Sequence, residues 1–530
     1  MADQSAIITH SYIAIPVDLV NRYAGNIEKF VIPEIETYNG KYHTKAIPLY
    51  KRVVMDIYKN GNKQVYVLFP RHCGRDLLDA NFLITPKFSV RPYPDLDDNL
   101  IFPEPNPEFS LLPLQKSMVD VTMNQYLNEH NRNYGKASCL IQAETGSGKT
   151  FLALGVLTEL VKRHKKMRAI WIVLNSMLQD QAIRDINKVY SSVRICTNIH
   201  NMIEFENAHI CVIIINSAIK LQNSSFKNFG LVIYDEIPNF VSESRRGIFW
   251  NAKASYTIGL TADIAARPDK LDDIYIAHLG PIIYEDSICD ALVEAGEIEM
   301  STVKFNVNYK FEKYFTPSDH RELVWNKDHD SRQFLPSIKK CLVDDMQRNS
   351  RLINGVLKLV LYGHEGVILM VHHREHVILL TELMIREMKT HENIKIRQLL
   401  THRMISGDKG GKDIMVDSAG VANDKRSKEN TDCVEFRNTK HKEPSIVIAT
   451  YAYASVGLSL IHLTALVLGV PPHGVKKRQV VGRILRINKE HPEKNNIPRM
   501  IWMLRDTLQY MDQHWINTGR YFISREFNAL

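Results

Sequence analysis

Three short stretches carry residues whose types and spacing suit phosphate chemistry. The first, AETGSGKT at 143–150, matches the P-loop pattern with Ala143 in place of the first glycine. Gly146 and Gly148 allow backbone N–H groups of the Ala143, Glu144, Thr145 and Ser147 loop to turn inward around a phosphate. Lys149 then reaches the β- and γ-phosphates, and the Thr150 hydroxyl can bind Mg²⁺. The second stretch, LVIYDE at 231–236, ends an apolar run on two carboxylates about 85 residues further on. Beside a P-loop, Asp235 holds Mg²⁺ through water and Glu236 polarises the attacking water. The third, QVVGRILR at 479–486, puts Gln479, Arg483 and Arg486 on one side of a helix start. A cation supplied there across a domain cleft would offset charge on the transferring phosphoryl group, an effect worth roughly a thousandfold or more in rate. The chemistry implied is hydrolysis of ATP with Mg²⁺.

Such residues need strand ends and helix starts to hold them. From 111 to 285, apolar runs (ASCLIQAE, RAIWIVL, HICVIIIN, FGLVIYDE, SYTIGLTA) alternate with helical segments. That alternation implies a parallel sheet covered on both faces by crossover helices. The pattern returns over 346–510 with EGVILMVHH, SIVIATYAY, TALVLGVP and PRMIWMLRD, so a second α/β domain is expected. A less regular segment, 286–345, connects the two, and 511–530 forms a C-terminal extension. Residues 1–91 read as a small β-rich domain, with hairpin turns at KNGN and at Asn39-Gly40. A proline-rich linker, 92–110, follows it. The polar, doubly charged stretch at 407–445 reads as a solvated insertion.

Composition sets outer bounds. With 45% hydrophobic and 24% charged residues the 530-residue chain is an ordinary globular one, too long for a single core. Its 67 Lys plus Arg against 59 Asp plus Glu leave a net charge of +8, which suits a polyanionic partner without proving one. The seven cysteines are scattered singly, which argues against a zinc site or a disulfide framework and for a reducing, cytoplasmic setting. No segment reaches the length of a membrane span, so no membrane partner is expected. His372 and His373 end an expected strand but lack the neighbouring Cys or carboxylate spacing of a metal site. In the N-terminal domain, Arg71, His72 and Arg75 suit either a duplex-gripping surface or a scaffold.

Together these segments resemble the superfamily 2 helicases, over about residues 111–510. The resemblance implies two RecA-like parallel-sheet domains in tandem that close over ATP. LLPLQ looks like the adenine-recognition element, with Gln115 as its reader. WIVLNSMLQDQ and VIIINSAIKL look like the loops that touch the nucleic-acid backbone, which implicates Asn175, Ser176 and Ser217. MQRNSRLI followed by GVILMVHHREH resembles the opening of the second domain and brings in His372. IATYAYASVGLSL is similar to the motif that places Thr450 at the backbone and Gly457 near ATP. More narrowly, PLQ, the Arg348-Asn349 pair and REH resemble DNA helicases of nucleocytoplasmic large DNA viruses, of the poxvirus transcript-release type. That likeness implies DNA-dependent ATPase activity, unwinding or translocation, contact with transcription machinery, and a place in viral factories or virions.

Three positions depart from the family pattern. Pro238 stands where His or Asp is usual, Thr261-Ala262-Asp263 replaces the usual Thr/Ser-Ala-Thr, and Ser459 replaces a ribose-binding Asp. A prolyl side chain can neither donate nor accept, so Asn239 is the candidate for a substitute bridge to Gln479 or Thr261. The residues support a DNA helicase or translocase first and an RNA helicase second. A reading of another class is a nucleotide-gated binding subunit of a transcription complex with weak hydrolysis.

Overall fold

The computed structural model describes residues 6–8, 12–24, 31–38, 41–55, 63–73, 86–88, 100–128, 137–143, 147–221, 225–251, 254–264, 269–295, 297, 305–315, 342–397, 400–404, 414–416, 445–451, 462–472, 476–485, 492–507 and 509–530. The chain divides into two units, Met1–Thr37 with Tyr42–Ser301, and Tyr38–Lys41 with Thr302–Leu530. Among the described residues no helix is long and apolar enough to cross a membrane.

The β-rich N-terminal reading is borne out. Strands β1 (Ala6–Ile8), β2 (Tyr12–Pro16), β5 (Lys51–Met55), β6 (Gln64–Pro70) and β7 (Pro86–Phe88) form a sheet in the order β5-β6-β2-β1-β7, while β3 (Val31–Tyr38) and β4 (Lys41–Pro48) pair separately. β5 and β6 are antiparallel with Met55 opposite Gln64, so they flank the KNGN segment as a hairpin would. Both expected turns, at 39–40 and at 59–62, lie outside the described residues.

The first α/β sheet contains β8 (Ser138–Gln142), β9 (Ala169–Val173), β10 (Ile195–Cys196), β11 (Ile210–Ile214), β12 (Leu231–Asp235), β13 (Tyr256–Thr261) and β14 (Ile282–Tyr284). Their order is β10-β11-β9-β12-β13-β8-β14, and every pairing is parallel. All the strands therefore end at one edge, where the loops after them can build a site. β13 lies between the P-loop strand β8 and the acidic strand β12. One core cluster joins Leu140, Ile170, Ile172, Ile213, Val232 and Tyr234 to Ile237 and Phe240 of the turn that follows β12.

The second sheet contains β15 (Val307–Tyr314), β16 (Gly366–Val371), β17 (Leu400–Met404), β18 (Ile414–Val416), β19 (Ser445–Thr450), β20 (Ala465–Leu468), β21 (Arg499–Asp506) and β22 (Asn528–Ala529). Its order is β18-β17-β19-β16-β20-β21-β15-β22, parallel throughout except for β17 with β18. Alternate residues feed opposite cores: Ile368, Met370, Val447, Ala449, Leu466 and Leu468 on one face, Val367, Leu369, Val371, Ile446, Ile448 and Val467 on the other. Burial on both faces is what a covered parallel sheet requires. β15 comes from the segment read as a connector and β22 from the C-terminal extension, and both extend this sheet at its edge.

Candidate nucleotide and nucleic-acid site

At the head of the helix Lys149–Arg163, Gly148 holds φ at +84°, a left-handed conformation that glycine adopts without strain. A Cβ at Gly148 would lie 2.4 Å from Gln115 Nε2, so a side chain here would collide with Gln115 as well. Gln115 sits in the first turn of Pro113–Leu127, which packs on the P-loop helix where Gly155 admits Leu111 and Val119. Its Oε1 accepts from Leu112 N at 3.1 Å and its Nε2 donates to the Ser147 carbonyl at 2.8 Å. The residue expected to read adenine therefore also holds the loop expected to carry the phosphates.

Lys149 Nζ donates to the Ala143 carbonyl at 3.1 Å across the loop, and Thr150 is half-buried beside it. Lys149 also acts on Asp235 at the end of β12. Burial of that carboxyl, then the charge of Glu236, pushes the Asp235 pKa up to about 7, while Lys149 and the indole of Trp171 pull the other way. As a whole residue Asp235 is half-buried. Trp171 lies near enough to favour the ionised form although its Nε1 makes no hydrogen bond of normal geometry.

Glu236 has φ 56° and ψ 54°, left-handed for a residue with a Cβ. The short helix Ile237–Phe240 follows, with Ile237, Pro238 and Phe240 buried. Asn239 donates twice to the Glu236 carbonyl, from its backbone N and from Nδ2, each at 3.1 Å, and its own carbonyl accepts from Arg245 at 3.2 Å. Asn239 is thus a local staple on Glu236. The Thr261 hydroxyl is likewise engaged locally, donating to the Asp263 carbonyl at 2.9 Å and accepting from Asp263 N at 3.1 Å. Ala143 N donates to the Thr261 carbonyl at 3.0 Å, and Gln142 Oε1 accepts from Ile264 N at 3.0 Å. Sequence reasoning missed Gln142 and Trp171. Neither belongs to a recognisable spacing, and only the sheet order brings them to this edge.

The donors suit Mg²⁺ and ATP. A hydroxyl and a carboxylate are hard oxygen ligands, and Mg²⁺ completes such a set with phosphate oxygens and water. A cation would also offset the burial and the Glu236 charge that raise the pKa of Asp235. Among the described residues no group of three or more His, Cys, Asp or Glu gathers as a protein-only metal cage.

The backbone-reading candidates gather by topology. β9 and β11 are neighbours, so Asn175, exposed Ser176 and half-buried Ser217 lie at adjacent strand ends. Asn175 caps the helix Ser176–Val189, its Oδ1 accepting from Leu178 N at 3.0 Å. In the second sheet Val371 pairs with Thr450, which puts His372 beside the Thr450 strand end, and the His372 ring meets Tyr451 at 4.9 Å. Gln479 and Arg483, at and just past the short helix Lys476–Val481, are buried. Glu144, Thr145, Gly146, Gly457, Ser459 and Arg486 lie outside the described residues.

Of the residues that carried the narrower likeness, Arg348, Asn349 and His376 belong to a buried network. Arg348 makes a two-pronged pair with Asp506, at 2.7 and 3.1 Å, and also donates to the Gly469 carbonyl. His376 Nε2 lies 2.7 Å from Asn349 Oδ1, and Asn349 Nδ2 donates to the Val343 carbonyl at 2.8 Å. Burial holds the His376 pKa down at about 3, so its neutral ring donates to Asn349. Arg71 is buried and His72 half-buried, its Nε2 3.0 Å from Ser138 Oγ, and Arg75 lies outside the described residues.

Residues 108–265 match the family described as the type III restriction enzyme res subunit. African swine fever virus QP509L, named an ATP-dependent RNA helicase, is 24% identical over 77% of this chain and 73% of its own length. Acanthamoeba polyphaga mimivirus L396, named likewise, is 22% identical over 87% of this chain and 75% of its own. The crystal structure of T4 UvsW aligns over 99% of this chain and 98% of its own at 16% identity, with a TM-score of 0.35.

Proposed function

We propose that this chain, a superfamily 2 ATP-dependent helicase related to those of large DNA viruses, is a motor that moves on or opens DNA and acts in viral transcription. The observation that carries the reading is the gathering of Lys149, Thr150, Asp235 and Glu236 at one edge of a parallel sheet, with Lys149 close enough to bias the titration of Asp235. In this reading Gln115 and the 143–150 loop bind ATP, and Glu236 orients the attacking water. Bound Mg²⁺ supplies charge neutralisation on the β- and γ-phosphates. Gln479, Arg483 and Arg486 of the second unit stabilise charge on the transferring group. Asn175, Ser176, Ser217, His372 and Thr450 hold the nucleic-acid backbone, which reads no sequence and makes binding salt-dependent.

Steady-state ATPase with single-stranded DNA, duplex DNA and RNA tests it. DNA should stimulate best, and Glu236→Gln should abolish turnover while nucleotide still binds. Activity that no nucleic acid raises and that Glu236→Gln leaves intact would replace the motor with a nucleotide-gated binding subunit. The second reading, an RNA motor, is favoured by the names of the two viral relatives, and equal or greater stimulation by RNA would establish it.

A further inference from the structure

Away from the nucleotide edge, the first unit holds a group of basic side chains that the ATPase reading does not use. Strand β6 runs into Arg71 and His72 at the opposite, N-terminal ends of β8, β13 and β14. Arg71 Nη2 donates to the Ala254 carbonyl at 3.3 Å, and His72 Nε2 lies 3.0 Å from Ser138 Oγ. Strands of five or six residues separate this edge from the P-loop, roughly 15–20 Å at about 3.3 Å per residue.

Around His278 stand Trp250, Lys51 and Arg71, and Arg246 lies near Lys51. Lys51 Nζ sits 4.9 Å from the centre of the Trp250 ring, and the His278 ring meets Trp250 edge-on at 4.7 Å. Arg71 is 2% exposed and His278 3% exposed, yet Arg71 Nε and His278 Nδ1 have no hydrogen-bond partner. Burial, then the charges of Lys51 and Arg71, hold the His278 pKa down at about 3, and burial and Arg246 lower that of Lys51. Among the described residues, the carboxylate paired with this group is that of exposed Glu243, 3.9 Å from Arg246. The tyrosine hydroxyls of Tyr234 and Tyr126 favour the Arg71 charge without cancelling it. A buried guanidinium that lacks a counter-charge and a buried ring nitrogen without a partner are both costly, and an anion that meets Arg71 and accepts from the neutral His278 ring lowers that cost.

We propose that Lys51, Arg71, Arg246 and His278 form a phosphate-binding site, with Lys51 and Arg246 at its rim and the two buried donors at its floor. Its ligand is a phosphate group, from free phosphate or from a nucleic-acid strand whose backbone crosses the face opposite the nucleotide edge. The strand source rests on the motor reading, and the free-anion source does not.

The test uses the full chain with saturating ADP and Mg²⁺, so that the P-loop is filled, and the rim variant Lys51→Ala/Arg246→Ala. Unchanged basal ATPase shows that the variant is folded. Thermal unfolding is followed in inorganic phosphate against chloride at equal ionic strength, and affinity for a single-stranded oligonucleotide is followed across salt. Phosphate should raise the wild-type Tm by a few degrees, and the variant should lose most of that rise. For the oligonucleotide, two lost phosphate contacts should make log affinity against log salt shallower by about 1.4. A loss that includes the oligonucleotide slope assigns the strand backbone, and a loss confined to inorganic phosphate assigns a small phosphate anion. An equal Tm rise in both proteins with an unchanged salt slope overturns the site. If nucleic acid fails to stimulate ATPase but the phosphate arm is positive, the motor reading falls and this site stands.

Discussion

At the nucleotide edge, two adjacent residues carry opposite kinds of strain. Glu236 holds a left-handed backbone that costs a residue with a Cβ about 1–3 kcal/mol, and the two Asn239 donors on its carbonyl help to hold it there. Asn239→Ala removes the side-chain half of that staple. It should lower kcat about tenfold while ATP affinity changes little, as single-turnover hydrolysis beside nucleotide binding would show. Asp235 is strained electrostatically. Its folded pKa of about 7 lies above the unfolded value of 3.8, so the native state holds more protons between about pH 4 and 7. Stability without Mg²⁺ should therefore fall as pH rises through that window, and Asp235→Asn should raise Tm at pH 8 while abolishing hydrolysis. Mg²⁺ needs the ionised carboxyl, so the Mg²⁺ concentration for half-maximal ATPase should rise about tenfold per unit below pH 7. The Asp-Glu pair was legible because strand, acid and P-loop spacing form one pattern. The left-handed Glu236 and the role of Asn239 were not, because backbone torsion at a strand end is set by what packs beneath it.

What packs beneath it is the IPNF turn. Gly259 of β13 leaves room for Ile237, since a Cβ there would lie 2.7 Å from Ile237 Cδ1, and Phe240 meets Tyr234 edge-on at 5.5 Å. Pro238 therefore reads as part of a fixed apolar plug, its ring presetting φ for the tight turn. The resemblance to superfamily 2 helicases makes this a position expected to couple nucleotide state to movement, and in this fold it is a core position. The same scale explains Gly280, whose φ of +86° and close approach to His72 join the N-terminal segment to β14. An added Cβ would lie 1.8–2.3 Å from the His72 ring. Gly280→Ala should destabilise the first unit by more than the roughly 1 kcal/mol of the torsion alone, and thermal unfolding would show it as a Tm loss of several degrees. The alternating apolar runs predicted the strands well, because a covered parallel sheet writes itself as continuous hydrophobicity. Strands β15 and β22 escaped because VNYKFEKY is half-polar at a sheet edge and Asn528–Ala529 is too short for any period to register.

Over the whole molecule, hydrolysis and its coupling are divided, in the proposed reading, between residues more than 240 positions apart, Asp235 in one unit and Arg483 in the other. The two parallel sheets were legible because each half repeats strand-and-helix alternation. The boundary residues were not, since the packing that recruits β15 and β22 into the second sheet is a property of neighbours, not of local pattern. The burial of Arg483 poses the decisive question at this scale, because a buried guanidinium can serve a fold or a reaction. Arg483→Lys separates the two. Lysine keeps the charge and much of the apolar stem but loses the planar fork that grips a phosphoryl group from two directions. If Arg483 acts on the transferring phosphate, the variant should keep its Tm within a few degrees and its nucleotide affinity within a few-fold. Nucleic-acid-stimulated kcat should fall by roughly a hundredfold to a thousandfold. A variant that loses Tm in proportion to activity, with kcat per folded molecule unchanged, would make Arg483 a core cation and leave the trans charge to Arg486.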